Sequence, residues 1–265
     1  MSPPVDKAAI ASSFGNAADS YDDAAHLQQQ VAAEVMASIP ESISPTVVVD
    51  LGCGTGVHTA ELQMRYPQAM VLGCDLSFGM LQHATDCHAQ PLWCGGDAES
   101  LPLRSNSIDL LFSSLAIQWC DQFSAVLSEV YRCLRPGGQF VFSTLCEGTL
   151  HELRTAWEQV DRFSHVNDYP SFNSLEVDVE RSGFRVAQLS TAPRRLYYRR
   201  VSQLSRELLA LGANTLTGER RPGLMTPSRL RALQLGYEQF RDDQQLLPAT
   251  YQVVYARLIK ESELC

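Results

Sequence analysis

No stretch of the 265 residues approaches the roughly 18 consecutive apolar residues that a membrane-spanning helix needs. A membrane role is therefore not expected. The opening Met-Ser-Pro-Pro-Val-Asp-Lys lacks both the cationic head and the apolar stretch of an export signal, and the expected location is the cytoplasm. Cysteine is plentiful, at eight, but no two of Cys53, Cys74, Cys87, Cys94, Cys120, Cys133, Cys146 and Cys265 make a C-x-x-C pair. That spacing suggests neither a zinc site nor a disulfide framework, and most of these residues are expected to be buried thiols. Internal repeats, low-complexity segments and any grouping that resembles a catalytic triad are also missing. Acidic residues outnumber basic ones by 30 to 21, for a net charge of −9, which weighs against nucleic acid as a partner. The 45% hydrophobic content suits one large domain, or a core carrying an inserted cap.

What is present is concentrated in Val47 to Gly56, which reads Val-Val-Val-Asp-Leu-Gly-Cys-Gly-Thr-Gly. The β-branched run suits a strand covered on both faces. Gly52, Gly54 and Gly56 let the backbone turn tightly and approach a ligand that any Cβ would push away. A helix is predicted from Val57 to Tyr66, stopped by Pro67. The dinucleotide-binding pattern G-x-G-x-x-G fails at its sixth place, where Val57 stands, so a nicotinamide cofactor is disfavoured. Met70 to Asp75 then reads as a second strand ending in a carboxylate. The acidic segment Gly96-Asp97-Ala98-Glu99-Ser100-Leu101-Pro102 follows, and Ile108 to Ser114 forms another strand. Phe123, Val126, Leu127, Val130 and Leu134 recur at helical spacing before the turn Pro136-Gly137-Gly138 leads into a fifth strand. Each piece alone is ordinary in α/β proteins; their joint order and spacing carry the reading.

Around this alternation lie an amphipathic helix near Leu27 to Ile39, helical charged text from Glu147 to about Asp161, and a loop around His165 to Asn173. A helix and strand are predicted between Ser174 and Pro193, a basic helical stretch from Arg194 to about Phe240, and a last strand from Tyr251 to Leu258. The expected organisation is a helical lid over residues 1–45, a core over 46–193 and 248–265, and an inserted cap over 194–247. Residues 191 to 231 hold nine arginines (194, 195, 199, 200, 206, 220, 221, 229, 231) against Glu207 and Glu219, a charge of 9 − 2 = +7, which leaves −9 − 7 = −16 on the rest. A basic face on an acidic chain fits a specific acidic partner. The same arginines also suit a solvated helical surface paired with the acidic body.

The run Asp50-Leu51-Gly52-Cys53-Gly54-Thr55-Gly56 and the segments that follow it resemble the class I S-adenosylmethionine methyltransferases. The resemblance implies an α/β fold, a doubly wound and mostly parallel seven-stranded Rossmann-like sheet. It implies that Asp50, Gly52, Cys53 and Gly54 hold the methionine end of the cofactor, and that Asp75, followed by Leu76, accepts the ribose hydroxyl protons. Asp97 would take the adenine amino group, with the small Ala98 leaving room for the ring, and Leu115, after the fourth strand, would also bind the cofactor.

Across nearly the whole chain the text also resembles the malonyl-acyl-carrier-protein O-methyltransferases of biotin synthesis. The resemblance rests on Phe14-Gly15-Asn16-Ala17-Ala18 through Tyr21-Asp22, Leu115-Ala116-Ile117-Gln118-Trp119-Cys120, Thr144-Leu145 with Gly148-Thr149-Leu150, His165-Val166-Asn167, and Leu211-Gly212-Ala213-Asn214. It departs from the family at Leu216-Thr217-Gly218-Glu219-Arg220. It implies methyl transfer to the free carboxylate of a malonyl thioester, carried by acyl carrier protein or coenzyme A, with no metal. The carboxylate is ionised at neutral pH and needs no general base, so the site's task is in-line placement and water exclusion. Arg199 and Arg200, after Tyr197-Tyr198, are the expected carboxylate contacts. Tyr21, with Phe14, is expected to close over the sulfonium, and Gln118 to face the reacting groups. Trp119 is read as a buried anchor. The basic cap is expected to dock the acidic carrier. Two alternatives stay open: a methyltransferase for another small acid or a quinone precursor, and a non-catalytic cofactor-binding protein.

Overall fold

Alternate residues of the valine run go to opposite sides. Val48 packs with Leu62, Val71, Leu110 and Phe112 in one apolar cluster, and Val49 with Leu51, Cys74, Leu111 and Phe140 in another. This is what a strand covered on both faces requires. The strand is β1 (Val47–Leu51), and the computed structural model, which describes residues 6–213 and 226–261, sets it in a seven-stranded sheet. Its companions are β2 (Met70–Asp75), β3 (Leu92–Gly95), β4 (Ile108–Ser114), β5 (Leu134–Leu145), β6 (Arg185–Tyr198) and β7 (Leu247–Ile259). The order is β3-β2-β1-β4-β5-β7-β6. β1 runs parallel to β2 and β4, β4 runs parallel to β5, and β7 is antiparallel to both of its neighbours. The strand order reverses between β1 and β4, so a crevice opens at their carboxyl ends, where open sheets of this kind hold ligands.

Nine α-helices dress the described part of the sheet: α1 (Lys7–Ala24), α2 (His26–Ala37), α3 (Val57–Arg65), α4 (Phe78–Cys87), α5 (Phe123–Cys133), α6 (His151–Glu158), α7 (Phe172–Arg181), α8 (Val201–Ala210) and α9 (Pro227–Tyr237). α5 buries Val126, Leu127 and Val130 on the sheet, as the spacing predicts. α4 begins at Ser77, whose hydroxyl accepts the Met80 N–H at 3.4 Å. None of the described helices is long and apolar enough to cross a membrane. The described cysteines are all free thiols, and Cys53, Cys74, Cys133 and Cys146 are buried.

One expected boundary is corrected. The strand expected to end at Pro193 continues to Tyr198, with Arg194 opposite Tyr251 and Tyr198 opposite Leu247. β6 is the outermost strand, so the missing N–H of Pro193 interrupts no ladder on its open side. Arg194 and Arg195 thus belong to the sheet, and the helical segment starts after Tyr198. Residues Asn214, Leu216 to Arg221 and Cys265 lie outside the described residues.

The N-terminal helices roof the crevice. Ser77 Oγ donates to Ala11 O at 2.8 Å, Ser13 Oγ to Gly212 O at 2.9 Å and Ser20 Oγ to Ala210 O at 3.0 Å. α1 is therefore tied both to α4 and to the end of α8. α2 buries Leu27, Val31, Ala32 and Val35, and Arg65 holds its exit by donating to Met36 O and Ile39 O at 2.7 and 2.9 Å.

Candidate active site

The turn after β1 is built on left-handed backbone. Gly52, Gly54 and Gly56 have φ of 72°, 54° and 84°, and a Cβ on Gly52 would overlap the Ala116 methyl. The Gly52 and Cys53 N–H groups both donate to Cys74 O, at 2.7 and 3.2 Å, which draws the loop toward the end of β2. There Asp75 accepts the Gly54 N–H at 2.9 Å on one oxygen and the Ser77 N–H at 2.7 Å on the other. Burial raises the pKa of Asp75, and these backbone donors partly offset it. The carboxylate is fixed in direction by the loop it faces.

Asp97 follows β3. Its Oδ1 accepts the Glu99 N–H at 3.0 Å and its Oδ2 pairs with Lys7 Nζ at 2.6 Å. Lys7 also pairs with Glu99. Burial alone would lower the lysine's pKa, but the two carboxylates outweigh it and raise it. The first residue of α1 is thereby clasped to the far end of the crevice.

These groups border one cavity of about 820 Å³, lined by Gly52, Gly54, Asp75, Leu76, Asp97, Ala98 and Leu115 and roofed by Ile10, Phe14 and Tyr21 of α1. A side recess holds Cys53, Thr55, His58 and Asp22, and Thr55 Oγ1 donates to Asp22 Oδ1 at 2.8 Å. A second cavity of about 1130 Å³ meets the first at Phe14, Tyr21, Leu115 and Trp119. Its further walls include Gln118, Leu145, Leu150, Trp157, His165, Tyr169, Ser205, Leu208 and Tyr251. Leu115 stands at the junction with φ of 46°, an uncommon conformation for a branched residue. Its N–H donates to Ser143 O at 3.2 Å and to Ser143 Oγ at 3.1 Å, and β5 thereby holds that conformation. Burial raises the pKa of Tyr21, as do Asp75 and Asp22, so its phenol stays protonated between the two cavities.

The structure brings most of the sequence-selected residues together and moves several others. Asp50 is buried but lines neither cavity. Its carboxylate accepts Thr59 Oγ1 at 2.6 Å, and burial pushes its pKa up to about 6; it joins β1 to α3 rather than facing a ligand. Arg199 and Arg200 are exposed between β6 and α8 and line neither cavity, because the longer β6 carries them to its outer end. Arg194 is committed to Glu34 of α2, with Nε at 3.1 Å and Nη2 at 2.5 Å from its oxygens. Arg229 pairs with Asp161 and lies over the Trp157 ring at 5.8 Å, so it is not a free surface charge. Trp119, read as an anchor, lines both cavities and meets Phe14 edge-on at 5.3 Å.

Lys7, Tyr169 and Tyr251 were not singled out from the sequence. Lys7 precedes any recognisable motif, and the tyrosines lie in a loop and a terminal strand whose pattern reports only burial. Among the described residues, no group of three or more His, Cys, Asp or Glu could hold a metal ion.

A family model described as a methyltransferase domain matches residues 49–142, which span β1 to β5. A biotin biosynthesis bifunctional protein BioHC of Cellvibrio japonicus is 42% identical over 98% of this chain and 51% of its own length. The chain thus spans about half the length of that relative. A malonyl-acyl-carrier-protein O-methyltransferase of Yersinia pestis is 38% identical over 98% of this chain and 94% of its own. The fold is shared with the solved S-adenosylmethionine-dependent methyltransferase of Mesorhizobium loti, with a TM-score of 0.51, 18% identity, and coverage of 86% of this chain and 96% of that one.

Proposed function

The chain belongs to the malonyl-acyl-carrier-protein O-methyltransferase family, and from that premise we propose that it methylates the free carboxylate of a malonyl thioester, an early step of biotin synthesis. The observation that carries the reading is the meeting of the two cavities at Phe14, Tyr21, Leu115 and Trp119. A donor in one and an acceptor in the other would face each other across a single junction.

The first cavity fits S-adenosylmethionine. Gly52 and Gly54 leave the backbone bare, Asp75 offers a fixed acceptor for a ribose diol, and Asp97 beside Ala98 offers one for an adenine amino group. When bound, the cofactor supplies an electrophilic methyl group on a sulfonium. This chain's part is to exclude water and to set the acceptor oxygen in line. Tyr21 and Phe14 line the junction, where an aromatic face would favour a cation. Gln118 is held by donating its Nε2 to Leu115 O at 2.6 Å, and its buried Oε1 has no partner among the described residues; the remaining Nε2 hydrogen would orient the acceptor. No proton has to be removed, because a malonyl carboxylate is ionised at neutral pH.

For the carrier, we propose docking on the exposed arginines 195 on β6, 199 and 200 between β6 and α8, and 206 on α8. This role replaces the direct carboxylate contact expected of Arg199 and Arg200. Residues 1–45 would act as the lid and the segment after Tyr198 as the cap, in a protein working in the cytoplasm.

The test is incubation with methyl-labelled S-adenosylmethionine and a panel of malonyl, succinyl and acetyl thioesters on carrier protein and on coenzyme A, read by mass spectrometry. The reading expects one methyl group on malonyl thioesters and none on acetyl. Labelling of acetyl, or none of malonyl, would overturn it.

A further inference from the structure

Four tyrosines, Tyr237 and Tyr251 buried and Tyr169 and Tyr198 partly buried, gather beside the second cavity, and two of them have hydrogen-bond partners. Tyr198 donates to Glu207 Oε1 at 2.9 Å, and Tyr237 donates to Pro248 O at 2.9 Å. The other two, Tyr169 and Tyr251, make no hydrogen bond through their hydroxyls among the described residues, and both line the cavity. Tyr251 is only 5% exposed. Leu145, the last residue of β5, pairs with Val253, so Tyr251 sits on β7 beyond the carboxyl end of β5. Tyr169 enters from the loop before α7. A phenol donor that lines a cavity and is unused by the described residues is free to meet an acceptor there, so the pair points to a ligand that brings acceptor oxygens.

The surroundings narrow the acceptor. No described residue lining this cavity is Arg or Lys, and its His165 lies 3.0 Å from Asp161, so an acid entering it meets no ammonium or guanidinium. Burial pushes Tyr169 up to about 12 and Tyr251 well above its ordinary value, and both keep their protons at physiological pH. The nearby carboxylates are turned elsewhere: Glu207 accepts from Tyr198, and Glu152 accepts from Thr250 N–H at 3.1 Å and Thr250 Oγ1 at 2.5 Å.

We propose that Tyr169 and Tyr251 form a neutral two-donor clamp for the substrate carboxylate, the element that selects an acid over an uncharged acyl group. The inference rests on the methyl-transfer reading of the adjoining cavity. Phenols direct a carboxylate without the strength of an ion pair. A guanidinium would stabilise the free anion more than the transition state, in which that charge is being neutralised. A carboxylate oxygen forms the new O–CH₃ bond as the S–CH₃ bond breaks and its electron pair stays on sulfur. The phenols keep their protons throughout.

The test uses the full chain with Tyr251→Phe and Tyr169→Phe, which remove only the hydroxyls from two different elements. Steady-state kinetics with a malonyl thioester at saturating methyl donor are compared with inhibition by the matching acetyl thioester, which has the same arm and no carboxylate. Each variant is expected to raise KM for the malonyl thioester by about tenfold, one lost hydrogen bond to a charged group, while the acetyl Ki stays within about twofold. Thermal unfolding and S-adenosylhomocysteine affinity should match wild type, which separates the clamp from a folding role. If one variant does not fold, the other carries the same expectation. Unchanged malonyl kinetics, or equal weakening of malonyl and acetyl thioesters, would overturn the clamp, the latter by assigning the phenols to the arm. A wild-type chain inert on malonyl thioesters would refute the parent reading instead, before any variant is made.

Discussion

Gly15 of α1 and Gly79 of α4 cross with backbone against backbone: a Cβ on Gly79 would lie 2.7 Å from Gly15 Cα and 2.9 Å from its carbonyl oxygen. This crossing sets how low the lid sits over the first cavity, since Ala11 and Phe14 on the same helix line it. Gly79→Ala should lift α1, weaken S-adenosylmethionine binding and cost about 1–3 kcal/mol of stability through overpacking. Calorimetry and thermal unfolding check both effects. Wild-type affinity in a folded Gly79→Ala variant would show that the lid adjusts without consequence.

Asp75 faces both the loop and the cavity. Replacing it with Ala removes a charged acceptor from the proposed ribose site and from the Gly54 N–H, and should cost about 1.5–3 kcal/mol of cofactor affinity. Asp75→Asn, which keeps one acceptor oxygen, should lose less. Equal titration curves for wild type and Asp75→Ala would contradict this assignment.

Asp50 gives a pH signature of stability. Its carboxyl titrates near 3.8 when unfolded and at about 6 when buried in the fold. Between those values the folded chain holds a proton that the unfolded chain has released, so this residue's contribution to stability falls as pH rises through the window and is level above it. The full effect is on the order of 3 kcal/mol. Asp50→Asn should flatten the stability profile between pH 4 and 6 relative to wild type, as read by urea unfolding at several pH values. An identical pH slope in the two proteins would remove Asp50 as the cause.

The docking face has its own test in ionic strength. Turnover of a carrier-bound malonyl thioester should rise in kcat/KM as salt is lowered, and Arg199→Glu or Arg206→Glu should flatten that rise. Each reversal is expected to cost no more than about 1 kcal/mol, as befits exposed contacts. Turnover of a malonyl thioester of free pantetheine should not respond. Salt-independent kinetics on the carrier-bound substrate would exclude an electrostatic docking face.

The cofactor half of the molecule was legible because its constraints are local. A β-branched run needs two covered faces, alternating glycines need left-handed backbone, and an apolar run that ends in a carboxylate reads as a strand end. The strands β1, β2 and β4 follow from such patterns, while the resemblance to class I methyltransferases singled out Gly52, Gly54, Asp75, Asp97 and Leu115, which all line one cavity. The acceptor half was less legible because its walls come from distant segments. Leu27, Leu150, Tyr169, Leu208 and Tyr251 meet only through the fold. Charge counting drew attention to Arg199 and Arg200, yet the extension of β6 past Pro193 takes them away from both cavities. Asp50 misled for a related reason: its place in the motif is visible, but the partner that turns it inward, Thr59, lies a helix turn further on.

The central claim is that the methyl group lands on the malonyl carboxylate oxygen, and the chemical position of the label tests this most directly. Malonyl-carrier protein is incubated with the chain and methyl-labelled S-adenosylmethionine, and the isolated product is treated with mild alkali. The account predicts that the label leaves as methanol, as from a methyl ester, and that acetyl-carrier protein acquires none. A label that survives alkali on the acyl chain, marking transfer to carbon, or equal labelling of the acetyl thioester, would contradict it.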